Sequence, residues 1–214
     1  MHRVAVRGSG TSGPALRHTG SVAAVSRTRE DLVRVALRLL DAHGLADVTM
    51  RRLAAELGLQ ASALYHHVPS KQVLLGQVAD EVLRLGARPR RATAWDDRVV
   101  EVAHELRDAM LAYRDGAELV STVIAFGLGA SQPLEDLTAA LADAGLPGDL
   151  VPTAARTVLH FVLGHTLEEQ THLQAGSAGA IEDDPRPSDF AAGLGIVVDG
   201  LRVAVARPGL PVTR

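Results

Sequence analysis

The chain reads as an all-α protein, and three observations say so. Apolar residues recur every three or four positions in one segment after another, and no stretch alternates apolar with polar residues over a useful strand length. Aromatic residues are scarce: Tyr65, Trp95, Tyr113, Phe126, Phe161 and Phe190 are the whole set. A core drawn from the 47% hydrophobic residues must therefore be Leu, Val and Ala, which suits packed helices better than facing sheets. Finally, residues 45–75, LADVTMRRLAAELGLQASALYHHVPSKQVLL, spell two short helices about a tight turn and the start of a third. Helices below about 12–15 residues are marginal alone in water. Such a pair needs a scaffold, and its usual use is to present the second helix to a DNA major groove.

Taken in order, residues 1–26 are rich in Gly, Ser, Thr and Arg, contain no acidic residue and show no periodicity; they read as a disordered basic arm. Basic arms of this kind enter minor grooves in other folds, while a solvated tail without fixed role is the plainer alternative. A first helix is expected over 28–43, with Leu32, Ala36, Leu39 and Leu40 on one face, Glu30 and Asp31 at its positive end and Gly44 as its stop. The second follows Thr49 as N-cap, buries Leu53 and Leu57, and ends at Gly58. The third spans 61–67 and is cut by Pro69, which disfavours helix at Val68. A fourth opens at Ser70 and carries Leu74, Leu75, Val78, Val82 and Leu85. ARPRRATA (87–94) breaks the pattern and marks a boundary between a domain at 27–87 and another at 92–206.

Beyond the break, 95–114 turns Val99, Val102, Leu106 and Met110 or Leu111 inward. Residues 115–129 hold Gly116, Gly127 and Gly129 and predict a short helix with a loose exit. Another helix over 133–144 closes at Gly145. Residues 149–173 are apolar on two faces, through Val151, Ala155, Val158 and Val162 and through Leu159, Leu163 and Leu167, so this helix of about 37 Å has two things to pack against. A loop is expected over 174–188. The last helix, 188–205, has Phe190, Leu194, Val197 and Leu201 in step. Its Gly193, Gly195 and Gly200 each cost about 1 kcal/mol relative to Ala, so it needs a partner surface such as a second subunit.

Charge is unevenly distributed. Residues 1–91 hold 14 Arg and Lys against 7 Asp and Glu, a balance of +7; residues 92–214 hold 8 against 18, a balance of −10. Only the first part is suited to meet a polyanion. There is no cysteine, so disulfides and thiolate metal sites are excluded. No apolar run reaches the 18 residues of a membrane span and no leader-like segment opens the chain, so a cytoplasmic protein is expected. No nucleophile–base motif, phosphate loop or zinc spacing is present; neither catalysis nor a cofactor is expected.

On these residues the chain resembles the TetR family of one-component transcriptional regulators. The resemblance rests on an apolar first helix ending in HG, on VTMRRLAAELGLQASALYHHVPSK, and within it on LAxELG, LYHHV and the following Lys71. Trp95, YRDGA (113–117) and HFVLGHTLEEQTH (160–172) further resemble the tetracycline-binding members of the family. The match is weakest at 118–150 and 174–188. It implies a three-helix DNA-binding domain, a helical effector domain, and a homodimer in which helices 149–173 and 188–205 pair into a four-helix bundle.

The resemblance also implies site residues. Arg51 occupies the family's base-reading position, with a phosphate or surface arginine as the alternative; arginine can bond guanine O6 and N7 together. Thr49, Tyr65, His67 and Lys71 match positions that grip the phosphate backbone, although Tyr65 also fits a partly buried core and His67 a helix cap. Gln60, Ala61, Ser62, Ala63 and His66 form the specificity set. Ala61-Ser62-Ala63 replaces a Gln-Pro-Thr run of the tetracycline-binding members, so their operator does not transfer. In the effector domain His160 and Glu168 match a pocket histidine and glutamate. The histidine that binds tetracycline-chelated magnesium is here Val120, its neighbouring threonine is Val123, a drug-contacting histidine is Ala87, and the pocket asparagine and phenylalanine are Val102 and Leu106. Aliphatic side chains do not bind hard cations. The expected effector is largely apolar, held by Val102, Leu106, Val120, Val123 and Phe161 and anchored by His160 and Glu168, with a satisfied core histidine as the alternative for His160. A competing class is a helical-bundle metalloenzyme using His165, Glu168, Glu169 and His172, which share one helix face. A helical lipid or protein adaptor is a third.

Overall fold

The computed structural model describes residues 21–180 and 187–207, with the backbone alone at 21–28. Nine α-helices and one 3-10 turn fill the described residues, with no strand among them. The first, α1, runs Ser21–His43. It begins earlier than the apolar periodicity indicates, so residues 21–26, expected in the arm, are helical. The breakers Gly13, Pro14 and Gly20 all precede Ser21, and SVAAVSRT offers nothing after it that stops a helix. The rest of the expected arm, 1–20, lies outside the described residues.

Gly44, at φ 83, ends α1 and leads into the 3-10 turn Leu45–Asp47. Helix α2 (Met50–Glu56) starts on Thr49, whose hydroxyl accepts from the Arg52 amide at 3.2 Å. Gly58 turns the chain at φ 66, a conformation that favours glycine. Helix α3 is only Ala61–Leu64, shorter than the expected 61–67; Tyr65 to His67 continue as turns, and the amides of His66 and His67 bond back to Ala63 and Leu64. Helix α4 (Lys71–Gly86) begins on Ser70, whose hydroxyl accepts from Val73 N. Leu74, Val78 and Val82 are buried along it, Leu75 is half-buried, and Leu85 is exposed.

The second half comprises α5 (Trp95–Leu111), α6 (Gly116–Ala125), α7 (Gln132–Asp143), α8 (Val151–Ser177) and α9 (Phe190–Ala206). Helix α8 extends past the expected end, so the connection to α9 is shorter; residues 181–186 of it lie outside the described residues. The apolar core is continuous from Leu32 through Leu201. Helix α4 belongs to both halves, since it packs on α1 and also on α5 and α6. Glycines let it approach closely: a Cβ on Gly86 would lie 2.5 Å from that of Ala109 in α5.

Helix α8 buries Val151, Ala155, Val158, Leu159 and Val162, while Leu163 is half-buried and Leu167 exposed. On α9 the inward positions are Phe190, Leu194, Val198 and Leu201; Val198 replaces the expected Val197, which is half-buried. Of the three α9 glycines, Gly193 serves within the chain, because a Cβ there would sit 2.8 Å from the Phe161 ring. Gly195 and Gly200 face open space.

Candidate nucleic-acid interface and the cleft behind it

The α2–α3 pair is held by local devices and a few buried anchors. Leu53, Leu64 and Val68 are each 0% exposed, and Leu64 is the single buried residue of α3. Burying one side of so short a helix leaves the other side outward. Thr49, Arg51, Gln60, Ser62, Tyr65 and His66 are exposed, and Ala61, Ala63, His67 and Lys71 are half-buried. Tyr65 is 52% exposed, which removes the alternative of a core tyrosine.

Two adjacent arginines behave differently. Arg52 is committed to Asp47 at 2.7 Å. Arg51 makes no ion pair or side-chain hydrogen bond among the described residues, so its five donors are available. His67 Nδ1 is buried without a partner. Every residue expected at the DNA is thus exposed in whole or in part, on α2, α3, the turns that flank them and the first position of α4.

Behind this surface a cleft of about 590 Å³ opens between α4, α5 and α7. Leu83, Ala87, Val102, Leu106, Ala109 and Pro133 give it apolar walls, and Asp80, Arg84, Arg88, Arg90, Glu105 and Asp136 give it a charged rim. Arg90, in the α4–α5 linker, reaches Glu105 of α5 at 3.0 Å and Asp136 of α7 at 2.7 Å. The Glu105 carboxylate is the main reason that the Arg90 pKa is raised. Glu101 takes the amides of Arg91 and Ala92, so the segment that breaks the helical pattern is pinned along α5.

The expected effector residues do not converge. Val102 and Leu106 line this cleft. Val120 and Val123 are buried on α6 but do not reach it. Phe161 stacks at 5.5 Å on Phe190 and lies 5.7 Å from His165, in an aromatic group between α8 and α9. His160 and Glu168 are exposed on α8. An exposed His160 also disposes of the satisfied core histidine. The rim residues Asp80, Arg84, Arg88, Arg90, Glu105 and Asp136 carry almost no mark in the sequence. Their one signal is the density of arginine at 84–91, in a segment that otherwise shows only a boundary.

Two members of the cluster on the lower part of α8, His165 and Glu169, are engaged by other helices. Arg107 takes Glu169 through two bonds, the Nε one at 2.9 Å, and stands 5.0 Å over the Phe190 ring. His165 Nε2 is 2.8 Å from Asp189, whose carboxyl is held below its usual range chiefly by that hydrogen bond. Among the described residues no group of three or more His, Cys, Asp or Glu is arranged to hold a metal ion. Glu169 and His165 thus brace α5, α8 and α9.

A scaffolded short helix with an outward polar face, followed by a helical domain with its own cleft, defines a helix-turn-helix DNA-binding regulator. The chain belongs to the TetR family of bacterial regulatory proteins. The family model described as "Bacterial regulatory proteins, tetR family" matches residues 32–78, and that for the "Tetracyclin repressor-like, C-terminal domain" matches 88–188. Among curated relatives, the tetracycline repressor protein class A from transposon 1721 of Escherichia coli is 31% identical over 195 residues, covering 79% of this chain and 88% of its own. Among solved structures, Mycobacterium smegmatis BioQ is 43% identical with a TM-score of 0.77, covering 82% of this chain and 98% of its own; BioQ has also been solved with its natural double-stranded DNA operator. A singly substituted TetR from Acinetobacter baumannii AYE, solved in complex with minocycline, is 26% identical with a TM-score of 0.69, covering 87% of this chain and 98% of that one. The chain is a TetR-family DNA-binding transcriptional regulator. Among the described residues no helix is long and apolar enough to cross a membrane.

Proposed function

We propose that the chain is a homodimeric repressor that works in the cytoplasm and leaves an inverted-repeat operator when a small organic effector fills the cleft between α4, α5 and α7. One observation carries the reading: Arg51, Gln60, Ser62, Tyr65 and His66 stand exposed on the outward face of α2–α3 with no side-chain partner among the described residues. On this reading Arg51 reads a base, Thr49, Tyr65, His67 and Lys71 hold phosphates, and Gln60, Ala61, Ser62, Ala63 and His66 set the sequence preference. The operator complex of BioQ and the minocycline complex of the Acinetobacter protein support a DNA partner and a small-molecule effector for this chain in turn.

The dimer surface is the outward side of α8 and α9. Leu167 is 38% exposed, Ile196 75% and Val203 49%, and Gly164, Gly195 and Gly200 leave room for a neighbouring backbone. His160 and Glu168 share the exposed side of α8, where they face the second subunit rather than their own cleft. The absence of a magnesium-binding histidine at Val120 speaks against a metal–tetracycline chelate as effector. Helix α4 links the halves, so an effector that wedges α4 from α5 and α7 changes the spacing of the two heads. Coupling is reciprocal: DNA weakens effector binding by the factor that effector weakens DNA binding.

The test is a gel shift with the DNA flanking the chain's own gene, alongside light scattering of the free protein. A dimer that binds this DNA in preference to unrelated competitor is the expected result. A monomer, or a dimer without preference, overturns it.

A further inference from the structure

Helix α6 is tied to the DNA-binding side of the molecule near both ends, each time by a carboxylate that accepts a backbone amide. Ahead of α6, Asp115 Oδ2 accepts from Leu45 N at 2.8 Å. Beyond it, Asp80 Oδ1 on α4 accepts from Ala130 N at 2.6 Å. Asp115 and Ala130 are the two non-glycine residues with positive φ among the described residues, at 54° and 56°. That region is disfavoured for a residue with a Cβ, so it persists only where contacts hold it. At Ala130 the contacts are the Asp80 bond and the close seat of the α6–α7 loop on α4, where a Cβ on Gly76 would overlap the Leu128 carbonyl.

Asp80 is also part of the cleft rim, and unlike Glu105 and Asp136 it has no arginine partner. Each rim arginine already has a carboxylate: Arg84 holds Glu81 at 2.6 Å, Arg88 holds Asp108 at 2.9 Å, and Arg90 holds Glu105 and Asp136. No cation lies within ion-pair distance of Asp80 among the described residues; its partner is a neutral amide. An entering anion meets arginines whose charge a carboxylate already offsets. An entering cation meets a carboxylate still without a counter-charge.

We propose that the cleft takes an amphipathic organic cation, an apolar body bearing an ammonium group, and that Asp80 binds the charge and thereby releases Ala130. This rests on the reading of the cleft as the effector site. The body lies on Leu83, Val102, Leu106 and Pro133, in a space of about 590 Å³ that suits a drug-sized molecule. Asp80 Oδ1 is held by the Ala130 amide and Oδ2 is open to the ammonium; the ion pair draws the carboxylate toward the cleft and weakens the Oδ1 bond. Once released, Ala130 relaxes from its left-handed conformation, the α6–α7 loop lifts from α4, and α4 carries the head with it.

The experiment titrates the full-length protein calorimetrically with three matched probes: naphthylmethylammonium, naphthylmethanol and naphthylacetate. The ammonium is expected to bind about tenfold more tightly than the other two, the worth of one charge-assisted hydrogen bond. Asp80→Asn, which keeps an oxygen for the Ala130 amide, should bring the ammonium down to the level of the alcohol. Saturating ammonium should also speed hydrogen exchange at the Ala130 amide of the unaltered protein. Alcohol or carboxylate binding as tightly as the ammonium overturns the proposal, as does failure of all three to bind. A preference that survives Asp80→Asn overturns the role of Asp80, and unchanged exchange at Ala130 overturns the release. The probe titrations need no DNA and the wild-type series needs no variant, so a failure to bind operator strikes the regulator reading alone.

Discussion

The head (α1 to the start of α4) and the cleft (α4, α5 and α7) are both built from short-range helices, yet they commit their polar groups in opposite ways. In the head, Arg51, Tyr65 and Lys71 have no side-chain partner among the described residues, as the proposed DNA contacts require. Around the cleft, Arg84, Arg88 and Arg90 are all paired, and the last two tie the α4–α5 linker to neighbouring helices. A surface that reads DNA keeps its donors free.

The contrast can be broken at its anchors. Leu64→Ala removes the one buried residue of α3, and a loss of about 2–5 kcal/mol is expected in urea unfolding. DNA binding should fall with it, since no other residue of that helix is buried. The matching cut in the second half is Gln170→Leu. Gln170 is 6% exposed, takes the Ala117 amide at 2.9 Å and gives its own hydrogens to the Met110 and Tyr113 carbonyls. Leaving these groups unpaired should cost about 1–3 kcal/mol in the same measurement, with the α5–α6 turn loosened in hydrogen exchange.

Two substitutions on the outward face separate a free side chain from a helix cap. Arg51→Ala should leave the melting temperature unchanged and cost about 1–3 kcal/mol of operator affinity at one base position. An equal loss on all sequences would make Arg51 a phosphate contact. Thr49→Ala, which removes the α2 cap, should lower stability by about 1 kcal/mol in thermal unfolding.

The smallest effect concerns the brace between α5 and α9. Arg202 holds the Asp96 carboxylate at 2.6 Å, and this hydrogen bond is the main cause of the lowered Asp96 pKa. A carboxyl lowered on folding contributes stability above its ordinary range and loses it as pH falls through the lowered value. The melting temperatures of the natural protein and of Asp96→Asn should therefore differ at pH 7, approach each other as pH falls below about 4, and meet only below the lowered Asp96 value.

The head was legible because its signals are local. Thr49, Gly58, Pro69 and Ser70 each act within four residues of where they stand, and they mark the boundaries of α2, α3 and α4 to within a few residues. The cleft was not legible, because its defining bonds join residues far apart in sequence: Asp80 to Ala130, Arg90 to Asp136, Asp115 to Leu45. Helical periodicity shows which side of a helix turns inward but not which neighbour it meets, so His160 was expected in a pocket and lies on the outside of α8. One step of register likewise separates Val197 from Val198, because 3.6 residues per turn leaves both near the inward side.

The central claim is that two copies of the α2–α3 face read one duplex. Hydroxyl-radical footprinting on the DNA flanking the chain's own gene tests it most directly. Two protected stretches are expected on one side of the duplex, their centres about 34–36 Å apart and related as an inverted repeat. A single protected stretch, or uniform protection without centres, would contradict it.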